Sequence, residues 1–143
     1  MNRLFINSKN RNNSLSVGPD NCVVYIQPFK INKLWKKMNL LYFNCPSNIY
    51  SQNLTTLNSI QLNISSIICQ ELHNNENFES QFIIPFSNNS LSFFANQHFC
   101  QSVNLKKFDV NVIERLEIRL YRSDCNEEVL NDFNFEFLLE FTE

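Results

Sequence analysis

The chain has two histidines, and each has a cysteine close by in sequence, as Cys69-x3-His73 and His98-x-Cys100. Two thiolates and two imidazoles form a donor set that zinc accepts in a tetrahedral array. The spacing is not that of a familiar zinc finger. On a strand, His98 and Cys100 share a face, whereas Cys69 and His73 need a turn or helical geometry to do so. Buried thiols are common in cores and histidine is common at surfaces, so the four stay a candidate cluster and no metal is assigned.

Thiol catalysis needs a polarised thiolate beside a base, and nothing local selects one pair among five cysteines and two histidines. Glu127, Glu128 and Asp132 offer a carboxylate couple of the glycosidase kind, but they stand in a polar connection where solvation is the simpler expectation. Gly18 is the single glycine, which excludes the glycine-rich loops that cradle phosphates. No enzyme and no cofactor are expected. "KINKLWKKMNLLYF" sets Lys30, Lys33, Lys36 and Lys37 among Trp35 and Tyr42, a pattern able to neutralise phosphates and stack bases. The net charge of -2 argues against a nucleic-acid partner, and lysines that guard a strand edge are the preferred reading.

The elements that would position these groups read as strands. In "DFNFEFLLEF", Phe133, Phe135, Phe137, Leu139 and Phe141 take every second place, which only a period of two puts on one face. "VIERLEIRLYR" sets Val112, Leu116, Ile118 and Leu120 against Arg115, Glu117, Arg119 and Tyr121, with Ile113 and Glu114 breaking the pattern. "FESQFIIPF" alternates up to Pro85, whose missing N–H predicts an edge or a bend. Ile60, Leu62 and Ile64 alternate in "SIQLNI", and "NCVVYIQ" and "LWKKMNLLYFN" complete the set, with helix as the competing reading of 32–44. Six to eight strands without a βαβ rhythm predict an all-β, antiparallel two-sheet β-sandwich.

At 143 residues the chain suits one domain, and its 14 phenylalanines can supply much of a core. Five spread cysteines without a C-x-x-C pair suit reduced thiols better than a disulfide framework. No apolar run approaches the ~20 residues that span a bilayer, so no membrane insertion is expected. Basic residues crowd the first 40 positions and acids the last 30.

The opening stretch, "LFINSKNRNNSLSVGPDNCVVYI", holds a short apolar strand, a basic asparagine-rich segment, a glycine-proline turn and a second apolar strand. It resembles the leader of the single jelly-roll minor capsid or penton proteins of virophages, polinton-like viruses and large DNA viruses. Ile6, Asn7, Ser8, Lys9 and Arg11 occupy the basic polar part. "WKKMNLLYFNCPSNIYSQN" is similar to a second strand of such proteins, with Pro46 to Tyr50 as its step, and "IERLEIRLYRSDCNEEVLNDFNFEFLLEF" is similar to their closing pair.

The resemblance implies a single jelly roll over 21–143 and an assembly arm over 1–20. It also implies a structural role as a homopentamer at the capsid vertices, seated on the major capsid protein, in a virion built in the host cytoplasm or a virus factory. Lys9 and Arg11 are then expected to meet acids of a neighbour, such as Glu127, Glu128 or Asp132. The alternative is a β-sandwich binding module for carbohydrate or protein, with Tyr25, Trp35, Tyr42 and Tyr50 as its aromatic platform.

Overall fold

A computed structural model describes residues 2–16, 18, 21–45, 59–64, 67, 82–87, 90–95, 101–106, 110–122 and 134–143. The strands are β1 (Arg3–Asn7), β2 (Asn21–Lys30), β3 (Lys37–Asn44), β4 (Ser59–Ile64), β5 (Phe82–Ser87), β6 (Ser90–Phe94), β7 (Gln101–Asn104), β8 (Val112–Arg122) and β9 (Glu136–Thr142). A 3₁₀ turn, Ser8–Asn10, follows β1. No helix among the described residues is long and apolar enough to cross a membrane.

β6 and β7 run along the same side of β3, β6 against Tyr42–Asn44 and β7 against Lys37–Leu40, so they act as one interrupted strand. With that pair counted once, eight strands wrap as a folded ribbon. First pairs with last (β1–β9), second with seventh (β2–β8), third with sixth (β3–β6/β7) and fourth with fifth (β4–β5). The further pairs β3–β9 and β4–β8 roll the ribbon into two sheets. Sheet A runs β1-β9-β3-β6/β7 and sheet B runs β2-β8-β4-β5. This is the strand order of a single jelly roll.

The alternating residues fill the space between the sheets, as a sandwich requires. Phe135, Phe137, Leu139 and Phe141 are all buried, and the rings of Phe135 and Phe137 stack with Phe43 at 5.6 and 6.4 Å. From sheet B, Ile60, Leu62 and Ile64 meet Leu116, Ile118 and Leu120. At one end Trp35 stacks on Phe141 at 5.1 Å and touches Phe29 at 5.7 Å, closing the core under the turn that joins β2 to β3.

Of three local readings, one changes and two are met. The segment 37–44 is a strand, and its apolar spacing is interrupted by a bulge at Leu41, where the register with β9 shifts by one. In β8 it is Ile113 that is buried and Val112 that is exposed; the alternation breaks between Ile113 and Leu116, where the register with β2 shifts between Tyr25 and Phe29. That shift also accommodates Pro28, which has no N–H for a ladder. Pro85 fits a bend as expected: it stands opposite Ser59 of β4, and the next residues, Phe86 and Ser87, pair with β6 instead.

The division at residue 20 does not follow the packing. β1 belongs to sheet A of its own chain, and Leu4 and Ile6 are core residues, Ile6 only 1% exposed. Two apolar side chains at alternate positions, entering beside β9, are worth more buried than free. The leader is the first strand of the jelly roll.

Candidate assembly surface

Of the residues expected to form a free arm, Ile6, Asn7, Ser8 and Arg11 are engaged with their own chain. Asn7 accepts a hydrogen bond from the Lys9 backbone N–H at 2.9 Å and starts the 3₁₀ turn. Ser8 is fully buried; its N–H donates to the Phe135 carbonyl, and its Oγ accepts from the Phe135 N–H, both at 2.9 Å. Arg11 donates from Nη1 to the Asn134 Oδ1 at 2.8 Å and to the Ser8 carbonyl at 3.1 Å. A guanidinium spent on two oxygens of its own chain is not held out for a neighbour's carboxylate. Lys9 is exposed, and Glu127, Glu128 and Asp132 lie outside the described residues.

The jelly roll is closed along one side and open along the other. On the closed side β5 pairs with β6, and the Gln101 amide bridges to β5 by accepting from the Ile83 N–H at 2.8 Å and donating to the Ile83 carbonyl. On the open side stand the two edge strands, β1 and β2. Arg11 and Asn12 cover β2 at Val23 and Val24, and Ser16 Oγ accepts from the Val23 N–H. Beyond them a cleft of about 540 Å³ lies between the edges, lined by Leu4, Phe5, Ile6, Tyr25, Pro28 and Phe29. Asn2 and Ser8 point their backbone groups at β9, so by the alternation of an antiparallel ladder those of Arg3, Phe5 and Asn7 face the open side.

The outer face of sheet A is organised in rows. Phe5 is opposite Leu138, Leu138 opposite Tyr42, and Tyr42 opposite Phe94, giving an apolar stripe across the whole sheet. Phe5 is 55% exposed and Phe94 62%, and the Tyr42 and Phe94 rings lie 5.1 Å apart. One polar row, Asn7–Glu136–Asn44–Ser92, flanks the stripe. The other, Arg3–Glu140–Asn39–Ser102, flanks it on the far side, with Arg3 Nε 2.9 Å from Glu140 Oε2. Tyr42 donates its hydroxyl to Glu136 Oε1 at 2.5 Å. Burial, the hydrogen bond that Tyr42 donates to Glu136 and the charge of that carboxylate raise the Tyr42 pKa above 10.0.

The outer face of sheet B is different. Along β8 it presents Arg115, Glu117, Arg119 and Tyr121, with Arg115 Nη2 2.8 Å from Glu117 Oε1. On β4, Gln61 and Asn63 are buried as well as the residues facing the core, and the Gln61 amide has no hydrogen-bond partner.

The zinc candidates Cys69, His73, His98 and Cys100 lie outside the described residues, as do Pro46 and Tyr50. Among the described residues no group of three or more His, Cys, Asp or Glu could hold a metal ion. Cys22 and Cys45 are buried. Of the lysines, Lys30 ends the edge strand β2 and is exposed, whereas Lys37 begins β3, which has β9 on one side and β7 on the other. The proposed aromatic platform is dispersed. Trp35 packs on the core, Tyr42 sits in the stripe, and Tyr25, 53% exposed, stands on β2 in the other sheet. The stripe escaped the sequence reading because its four residues come from four strands.

No protein-family model matches the chain, and no curated protein does.

Proposed function

We propose that this protein is a structural viral minor capsid protein, a penton that forms a five-fold ring at icosahedral vertices. The observation that carries the reading is the complete jelly-roll pairing, together with the resemblance of the leader, the second strand and the closing pair to such proteins. A ring needs two different surfaces on each subunit, since a heterologous contact repeats head to tail until it closes. The two sides of this sandwich differ in that sense, one open along the edge strand β1 and the other closed by the pairing of β5 with β6. Copies set side by side bring the open side of one against the closed side of the next. In this reading the major capsid protein supports the ring from below, and the protein resides in the virion after synthesis in the host cytoplasm or virus factory. The ring no longer calls on a free arm.

Native mass spectrometry of the purified protein at several concentrations, with and without a chelator, tests the proposal. The expected result is a pentamer indifferent to chelation. A monomer that carries metal overturns it and returns attention to Cys69, His73, His98 and Cys100.

The 540 Å³ cleft favours a second reading, a β-sandwich module that recognises carbohydrate or protein. Saturable shifts of the Tyr25 resonances on titration with oligosaccharides, from a protein that stays monomeric, would select it.

A further inference from the structure

The row pattern on sheet A is self-complementary. Consider a second copy laid face to face on sheet A and related by a two-fold axis that runs along the strands, between β9 and β3. That operation sets β1 over the β6/β7 line and β9 over β3. Phe5 then meets Phe94 of the second copy, and Leu138 meets its Tyr42. In the flanking rows Glu140 meets Asn39 and Glu136 meets Asn44, so each carboxylate faces an amide able to donate to it. A two-fold axis laid across the strands instead sets Glu136 against Glu140, a like-charge contact that costs stability. The rows thus single out one face-to-face arrangement.

We propose that the outer face of sheet A is a two-fold contact between copies of this chain, centred on the Phe5–Leu138–Tyr42–Phe94 stripe. An aromatic stripe exposed in the middle of a polar face marks an interaction surface, and here the best-matched occupant is the face itself. The footprint follows from geometry: four strands ~4.8 Å apart and three rows ~7 Å apart cover roughly 400 Å² per copy. That is about half of what a standard stable interface buries, so the contact is weak for free subunits and gains when copies are held close together. It goes beyond the five-fold ring, which uses the sides of the sandwich and leaves this face open.

Sedimentation velocity of the full chain, from about 1 μM to about 1 mM, is the test. The expected wild-type behaviour is a two-fold association that strengthens with concentration. Phe94→Glu weakens it at least about tenfold, because a carboxylate then faces Phe5. The double variant Phe5→Lys with Phe94→Glu restores it to within about threefold, since each substituted residue faces the other across the axis. Both positions are exposed, so circular dichroism should show the same fold in every variant. Wild-type protein that never associates, a Phe94→Glu variant that associates unchanged, or a double variant that fails to recover each overturns the proposal. A pentamer indifferent to Phe94→Glu removes this contact and keeps the vertex reading. A dimer that obeys the three variants but forms no ring, alone or with the shell protein, keeps the contact and removes the vertex reading.

Discussion

Ser8 and Phe135 exchange two hydrogen bonds, the second made by a side chain where a strand would use a carbonyl. The chain turns away from β9 at Ser8, and the hydroxyl satisfies the Phe135 N–H that the departing backbone would leave unpaired. Ser8 Oγ also lies 3.2 Å from Asn134 Oδ1, to which it donates.

Removing that hydroxyl should be felt at a distance in sequence. Ser8→Ala leaves a buried N–H without a partner and is expected to cost about 1–3 kcal/mol in urea unfolding. The Phe135 amide should exchange with deuterium faster in the variant than in the wild type, a readout that a mere loss of packing would not move.

The leader is structural for its own subunit, and truncation tests this directly. Ile6→Ala should cost about 2–5 kcal/mol, the usual range for emptying a packed core site. Deletion of residues 1–20 removes Leu4, Ile6 and the Ser8 bonds together and should abolish the cooperative thermal transition. A deletion variant that melts like the full chain would show that β1 is dispensable.

Gln61 offers a gain. Its amide is buried without a partner, so Gln61→Met keeps the volume and removes the desolvated polar group. The variant is expected to be more stable by about 1 kcal/mol and to melt about 2–5 °C higher.

Tyr42 should give the fold an alkaline limit. Its pKa is raised above 10.0 in the folded chain, so between the two values the unfolded chain releases a proton that the folded chain keeps. The contribution is fully present below pH 10.0 and is lost as the pH rises through the folded pKa. Urea midpoints measured on both sides of that window should fall for the wild type by more than for Tyr42→Phe.

The strands were legible wherever a single period ran without interruption. β9 reads directly from Phe135 to Phe141, and β4 from Ile60 to Ile64, because every second residue faces the core. Bulges defeat that reading: after Leu41 the outward positions of β3 change from odd to even, so Asn39, Tyr42 and Asn44 share a face that no fixed period reveals. The membership of β1 in the sheet was hidden for another reason. Five residues are too few to distinguish a strand of the core from an apolar tag on a polar leader, and its partner is more than 120 residues away. The stripe and its flanking rows depend on four such registers at once, which lie in the pairing and not in any one segment.

The first-to-last pairing of β1 with β9 also sets an order on synthesis. Among the described strands the ribosome delivers β1 first, yet β9, which hydrogen-bonds it, is delivered last. Leu4, Phe5 and Ile6 must therefore wait for their partner until β9 has been made. β9 lies between β1 and β3, so this late strand acts as a keystone, and sheet A closes only once it has been made.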